Sequence, residues 1–408
     1  MIIRTTAPVA LLSSLSGNVN SALDYFPGTS LRGVLAFQFR ASRDMNNRQN
    51  QELFYELFLS DKVRYCNLYP EGASNVFPVP LTARSCKIYS GFKYLHKGFN
   101  PEEIEESHGV RDYLINFLLY NIDNKEFPIA DECGFDGCPA PVERYSGWCY
   151  YSDPPVNEYV ESKVSKVEFT RTEILPATQT AKPEILFTTE AIETDQRFEG
   201  SIIVNESSLT NELNMLIQDG KLFIGVGKTR GLGAVSIDQR DLHTVNQEAI
   251  PVKSHNGIKG RLESLNDVIR NRIKTDNIYF SLTLYSDVII NNSQGQLQTI
   301  LDIETLKERI ESISLKTDVL NKFTLCLMFT NARTISGWSD VWRLPKRKEV
   351  AISKGSVFLY ESINKINDSE FTELEELLDE LEKNPIGKRV NEGFGIVSVC
   401  DPFHWRGI

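Results

Sequence analysis

The sequence predicts an α+β protein built from two ferredoxin-like units in tandem. Two glycine-rich stretches indicate an internal duplication: residues 225–233 read GVGKTRGLG, and residues 387–395 read GKRVNEGFG. We call these the first loop and the second loop. Each follows a helical pattern and leads into an apolar strand, and GLGAVSI aligns residue for residue with GFGIVSV. A repeat of this kind sets the architecture of the whole chain.

The first unit is predicted to span residues 1–240 and the second residues 276–408, with a polar linker at 241–275 that carries a short helix. In the first unit a buried helix follows Pro27, strands are expected at 164–175, 184–191 and 197–204, and a helix at 209–218. The second unit is expected to have strands at 278–290, 323–329, 350–360 and 393–399, and helices at 303–313 and 370–381. This is the element order of ferredoxin-like units.

Composition places the chain among globular proteins, with 408 residues, 41% hydrophobic and 24% charged. No apolar run approaches the roughly 20 residues of a membrane span, so we expect a cytoplasmic protein without a membrane partner. The net charge of -11 is concentrated, because residues 367–384 hold eight acids against one lysine. The predicted helix there buries a leucine face and leaves its carboxylates in solvent. A nucleic-acid partner therefore stays compatible with the overall charge.

The first loop has the chemistry of a phosphate-binding turn. Glycines tolerate positive φ and let the backbone approach a ligand, while cationic side chains beside exposed N–H groups attract anions. The expected contacts are Gly225, Gly227, Lys228, Thr229, Arg230, Gly231 and Gly233. A Walker A motif is excluded because Leu222 stands where its first glycine belongs, and we expect no nucleotide cofactor. The alternative is a glycine-rich hairpin with two solvated cations.

Two further segments are candidate anion sites. The helix start after Pro27 presents free N–H groups close to Ser30 and Arg32, although an ordinary capped helix with a solvated Arg32 fits equally. A basic strip of Lys346, Arg347 and Lys348 follows in the second unit.

Residues 61–155 interrupt the first unit and carry most of the cysteines. Seven cysteines, an odd number spread unevenly, are typical of a reducing compartment. Cys86, His108, Cys133 and Cys138 form a candidate structural zinc site, with Cys149 as an alternative fourth ligand. The competing interpretation is free cysteines in a core.

Read in order, these motifs resemble the RAMP superfamily of CRISPR systems. The resemblance includes the PGTSLRG turn, the GKTRGLG loop, the closing GFG and the segment AISKGSVF at 351–358. The cysteine-bearing insertion and residues 171–193 are most similar to the type III-D "Csx-ten" family. Gly393 and Gly395 match the family's second loop, but Glu392 beside them departs from a phosphate-binding pattern.

The resemblance implies a non-catalytic subunit that binds the 5′ repeat-derived tag of the crRNA and caps a type III complex. Its partners would be the large signalling subunit, the backbone RAMP subunits and, indirectly, target RNA. Trp338 or Trp342 could stack on bases, although a core role is the more common one for a strand tryptophan. The enzyme alternatives are a guide-processing endoribonuclease that uses His255 or His404, and a backbone subunit that cleaves target RNA.

Overall fold

The computed structural model describes residues 1–13, 19–95, 107–122, 132–153, 156, 158–174, 181–218, 220–237, 257–292, 294–311, 317–339 and 344–406. It contains the helices α1 (Gly28–Ser42), α2 (Arg48–Phe58), α3 (Leu114–Ile122), α4 (Ser207–Ile217), α5 (Ile258–Ile273), α6 (Ile303–Glu311), α7 (Asp368–Lys383) and α8 (Phe403–Arg406). Within these described ranges, no helix is both long and apolar enough to cross a membrane.

The strands up to the first loop's exit are β1 (Ile2–Thr5), β2 (Val19–Asn20), β3 (Val63–Tyr65), β4 (Tyr69–Pro70), β5 (Phe77–Pro78), β6 (Ala83–Cys86), β7 (Tyr94–Leu95), β8 (Val110–Asp112), β9 (Val142–Arg144), β10 (Trp148–Ser152), β11 (Glu158–Glu161), β12 (Lys166–Ile174), β13 (Ala181–Ile192), β14 (Arg197–Glu199), β15 (Ile202–Val204), β16 (Lys221–Phe223) and β17 (Ala234–Ile237). The later strands are β18 (Tyr279–Leu284), β19 (Ile290–Asn291), β20 (Leu297–Gln298), β21 (Phe323–Phe329), β22 (Ala332–Ile335), β23 (Trp338–Ser339), β24 (Leu344–Pro345), β25 (Glu349–Ile352), β26 (Val357–Ser362) and β27 (Val397–Val399).

Two antiparallel sheets carry the two cores. The first sheet has the order β16-β17-β1-β14-β4, and its core includes apolar residues of α1 and α4. The second has the order β21-β26-β18-β27 and packs against α5, α6 and α7. In the first sheet β1 lies between β17 and β14, and in the second sheet β18 lies between β27 and β26. Strand β26 directly precedes α7, whereas the short strand β15 lies between β14 and α4. The mixed α/β class agrees with the prediction.

Helix α7 forms as its sequence predicts. The Asn367 side chain accepts a hydrogen bond from the backbone N–H of Glu370, and the Glu370 carboxylate accepts one from the N–H of Asn367, which completes a capping box. Leu374, Leu377, Leu378 and Leu381 are buried in the second core. The predicted solvated face is not complete, because the side chain of Glu382 is 9% exposed and pairs with the buried Arg261 of α5.

Several predicted boundaries are wrong. The single strand expected at 350–360 is two strands, β25 and β26, because the chain turns at Gly355 with a φ of 81°. The strand expected at 278–290 stops at Leu284 in β18, and residues 197–204 divide into β14 and β15 around Gly200. The predicted linker contains the 16-residue helix α5, while residues 241–256 lie outside the described part. Helices α2 and α3 were not predicted.

Candidate nucleic-acid loop and metal centre

The first loop is a tight turn between β16 and β17. Gly225, Gly227, Gly231 and Gly233 have φ values of 94°, 77°, 81° and 88°, a region that side chains disfavour. A Cβ on Gly225 would lie 2.5 Å from the carbonyl oxygen of Ala10, and one on Gly233 would lie 2.5 Å from that of Ile224. The backbone hydrogen bonds Val226 N–H to Ala10 (3.0 Å) and Gly233 N–H to Pro8 (2.8 Å) fix the loop on the segment after β1. Glycine is therefore required by the fold itself.

The tip of the first loop points its cations into solvent. Residues Lys228–Arg230 form a single 3-10 turn, and Lys228, Thr229 and Arg230 are all exposed. Within the described residues neither cation has an ion-pair partner. Two unpaired cations on a glycine-framed turn form a site suited to phosphate groups.

A groove lies between the first loop and the hairpin formed by β12 and β13. Its hairpin wall carries Arg171, Phe187 and Thr189, and its loop wall carries Gly227, Thr229 and Arg230. Arg171 and Phe187 are cross-strand partners, so their side chains share one face of the hairpin. The sequence analysis missed both residues. Alternation along the strands predicts their shared face, but only the folded structure shows that this face meets the first loop.

The second loop has a similar backbone but different charges, which change at four aligned positions: Val226/Lys388, Gly227/Arg389, Lys228/Val390 and Arg230/Glu392. Its glycines Gly387, Gly393 and Gly395 again have positive φ, and Arg389 takes the position before the single turn at Val390–Glu392. A Cβ on Gly387 or Gly395 would clash with the carbonyl oxygen of Ile289 or Ile386. The turn is thus conserved in shape between the two halves, while its side chains differ.

Glu392 is the centre of a buried ion-pair cluster. Its carboxylate lies 2.7 Å from Arg32, 2.6 Å from Arg389 and 3.6 Å from Lys346, and the residue is 7% exposed. Burial alone would raise the pKa of Glu392, but these three cations outweigh it and lower the pKa from 4.5 to about 2. Arg389 also pairs with Glu349 at 2.8 Å. The carboxylate is therefore ionised throughout the neutral range.

The start of α1 lies against the second loop. Asn67 accepts a hydrogen bond from Gly28 N–H at 2.9 Å through its side-chain oxygen and donates one to the carbonyl of Gly393 at 3.1 Å. The backbone N–H of Ser30 bonds to the carbonyl of Pro27. The structure thus brings the predicted residues Arg32, Lys346 and Gly393 together at a junction that already contains a carboxylate, while Ser30 lies in the first turn of α1. Arg347 and Lys348, which follow Lys346 in the sequence, are both exposed. Trp342 and the side chain of Trp338 lie outside the described part of the chain.

The candidate metal ligands converge as predicted. One donor atom from each of Cys86, His108, Cys133 and Cys138 lies within 4.8 Å of the others, and His108 Nδ1 is 3.3 Å from Cys133 Sγ. Gly134, Asp136 and Gly137, all with positive φ, fold the knuckle that carries Cys133 and Cys138. Cys149 is not part of the cluster, because it is fully buried in β10 within an apolar core. His108, and not Cys149, is therefore the fourth member of the cluster.

The surroundings of the cluster lower the pKa of Cys86, raise that of Cys133 through burial and the neighbouring Cys86, and place the imidazole of His108 between two rings. Burial opposes ionisation of Cys86, but hydrogen bonds from the backbone N–H groups of Tyr89 and Ile88, together with the neighbouring thiols, lower its pKa below the ordinary value. The imidazole of His108 lies between the rings of Tyr89 (4.5 Å) and Phe135 (4.6 Å). Three sulfurs and one imidazole are a donor set that fits a tetrahedral metal ion.

The other described histidine, His404, is fully buried. Its Nδ1 lies 3.0 Å from the Asp112 carboxylate and its Nε2 lies 2.8 Å from Thr283 Oγ1. His96, His243 and His255 lie outside the described residues. Neither described histidine lines the groove of the first loop.

Fold and site together define a mixed α/β protein with two antiparallel sheets and an exposed, cationic glycine loop that joins two strands of the first sheet. Residues 15–236, just over half of the chain, match the RAMP superfamily, and the chain belongs to that superfamily. No curated protein matches the sequence.

Solved structures similar to the chain include one chain of a type III-B Cmr-beta complex bound to cognate target RNA. It has 12% identity and a TM-score of 0.38, and the match covers 92% of this chain and 93% of that chain. A chain of the Csm3-Csm4 subcomplex of a type III-A interference complex has 12% identity and a TM-score of 0.32, with coverages of 90% and 95%. TM-scores this low transfer no function or partner.

Proposed function

We propose that the chain is a non-catalytic, RNA-binding subunit of a type III CRISPR effector complex. It binds the 5′ repeat-derived tag of the crRNA through the first loop. The observation that carries this proposal is the exposure of Lys228 and Arg230, without ion-pair partners among the described residues, on a turn held by four glycines of positive φ. Membership of the RAMP superfamily supports it. Backbone N–H groups and two cations bind consecutive phosphates of a single strand.

The resemblance of the sequence extends the proposal to the assembly. The two halves are interpreted as ferredoxin-like units of a type III-D "Csx-ten" subunit, in the cytoplasm, acting in antiviral defence. The subunit caps the complex beside the large signalling subunit and the backbone RAMP subunits, and meets target RNA only indirectly. In this role the cluster of Cys86, His108, Cys133 and Cys138 holds a structural zinc ion, which needs no open coordination position.

The absence of catalysis is part of the proposal. General acid–base cleavage of RNA needs a titratable group within hydrogen-bond reach of the substrate. His404 is fully buried and bonded on both nitrogens, and His108 belongs to the metal cluster. Incubating the purified chain with repeat RNA should give a complex and no cleavage products. Cleavage that is lost in His255→Ala would instead support the endoribonuclease alternative.

The RNA-binding test uses the double variant Lys228→Ala/Arg230→Ala. Affinity is measured over a series of salt concentrations, with an RNA that carries the repeat-derived 5′ end and a scrambled control RNA. The expected result is weaker binding and a shallower salt dependence, by about 0.7 in slope for each lost phosphate contact on a single strand. The matched control is Arg40→Ala/Lys259→Ala, which removes two exposed cations from α1 and α5. Equal losses in both double variants would contradict a specific role of the first loop.

A further inference from the structure

The two halves share a pattern of backbone pairing. In the first sheet Ile3 pairs with Phe198 on one side and with Ile237 on the other. In the second sheet Leu282 pairs with Phe358 and with Val399 in the same arrangement. Beyond the strands, Val9 exchanges two backbone hydrogen bonds with Ile192, and Val288 exchanges the same two with Ile352.

The same correspondence extends through both glycine loops. The N–H groups of Val226 and Gly233 bond to the carbonyls of Ala10 and Pro8, and those of Lys388 and Gly395 bond to the carbonyls of Ile289 and Asp287. Each loop then makes a single 3-10 turn that ends at a glycine of positive φ, either Gly231 or Gly393. The last residue of that turn is Arg230 in the first loop and Glu392 in the second.

Equivalent positions therefore carry opposite charges in opposite surroundings. Arg230 is exposed and faces an open groove. Glu392 is buried and binds Arg32, Arg389 and Lys346. In the first loop the cation is available to an external anion. In the second loop the chain supplies the anion itself.

The space beside the second loop that corresponds to this groove is filled by side chains. Gly227 and Thr189 line the first groove. Their equivalents are Arg389, which precedes the second single turn, and Glu349, which lies three residues before Ile352 as Thr189 lies three before Ile192. Arg389 and Glu349 form an ion pair of 2.8 Å across that space. The space that is open in the first half is thus closed in the second.

We infer that the duplicated loops have diverged, so that only the first binds nucleic acid and the second is an internal latch. In the latch the Glu392 carboxylate takes the place of a phosphate group and ties α1, through Arg32, to the second half of the chain. For the first loop this inference rests on the proposed function. For the second loop it replaces the expectation that Arg32, Lys346 and Gly393 contact RNA. The chain then binds a single strand of RNA at the first loop only, rather than at both loops.

The test combines RNA binding with thermal unfolding of the full chain. A short fluorescein-labelled single-stranded RNA is titrated at several salt concentrations with wild type, Arg230→Ala, Lys346→Ala and Lys259→Ala. Arg230→Ala should weaken binding by about tenfold, as expected for loss of a charge-assisted hydrogen bond. Lys346→Ala should stay within about twofold of Lys259→Ala, since Lys346 already faces Glu392. A loss for Lys346→Ala equal to that for Arg230→Ala overturns the inference.

Thermal unfolding separates the latch from the RNA site. Glu392→Gln should lower the unfolding midpoint by about 5 °C, because Arg32 and Lys346 lose the carboxylate they face and Arg389 keeps only Glu349. Glu376→Gln removes an exposed carboxylate of α7 and should leave the midpoint unchanged. An unchanged midpoint for Glu392→Gln overturns the latch whatever the RNA result. If wild type binds no RNA, the proposed function fails, while the unfolding comparison still decides the latch.

Discussion

His404, four residues from the end of the chain, lies 3.0 Å from Asp112, and both side chains are fully buried. The Asp112 carboxylate also accepts a hydrogen bond from Thr82, while Asp401 is the other nearby acid. This contact joins α8 to β8, which belongs to the cysteine-bearing segment. Burial opposes the charged imidazole, but the neighbouring carboxylates outweigh it and raise the pKa of His404 above 6.5.

The first prediction concerns the pH dependence of this pair. Because the folded-state pKa is raised, the stabilisation is complete below about pH 6.5 and is lost as pH rises through the folded-state value. His404→Gln should cost about 3 kcal/mol at pH 6, since it leaves the Asp112 carboxylate buried without its cation. Urea unfolding at a series of pH values measures the difference from wild type. A gap that does not shrink towards alkaline pH would show that His404 is neutral in the folded protein.

The sequence predicted features that depend on neighbouring residues, but not contacts between residues that are far apart in the sequence. The glycine pattern predicted both tight turns, the leucine spacing predicted the buried face of α7, and cysteine spacing predicted that Cys133 and Cys138 lie close together. These are local properties of neighbouring residues. The pair of Arg32 with Glu392 joins positions 360 residues apart, and no local pattern indicates that separation. The meeting of Phe187 with the first loop is equally a product of tertiary packing, as is the choice of His108 over Cys149.

Acid should release the latch. The folded-state pKa of Glu392 is about 2, against an ordinary value of 4.5. This group therefore contributes stability above about pH 4.5, on the order of 3 kcal/mol, and the contribution is lost as pH falls towards 2. The charged groups that face it are Arg32 of α1, Lys346 and Arg389, with Glu349 bonded to Arg389. We expect the unfolding free energies of wild type and Glu392→Gln to differ at pH 7 and to converge as the pH falls from about 4 towards 2, with Glu376→Gln as the matched control. Parallel curves would contradict the low pKa.

Phe187 should contribute to RNA affinity without contributing charge. Its ring lines the groove beside Arg171 and Arg230, where a base of a bound strand would stack on it. Removal of a stacking aromatic costs about 1–3 kcal/mol per base, so Phe187→Ala should weaken RNA binding by roughly tenfold or more. The salt dependence should stay as in wild type, because no phosphate contact is lost. Phe37→Ala, which removes an exposed ring from α1, is the control. Equal affinity of both variants would remove Phe187 from the site.

Metal content should depend on Cys138 and not on Cys149. Cys138 supplies one of four convergent donors, whereas Cys149 lies in an apolar core and burial raises its pKa well above 9.0. Elemental analysis of the purified chain should give about one zinc ion per wild-type chain and per Cys149→Ala chain, and far less for Cys138→Ser. Because a structural zinc ion stabilises the fold around it, chelation should lower the unfolding midpoint of wild type and leave that of Cys138→Ser unchanged. Zinc retained by Cys138→Ser but lost from Cys149→Ala would reverse the assignment. The two cysteines lie in the same segment, so a general disruption of that segment would remove zinc from both variants, and only the asymmetric result supports this donor set.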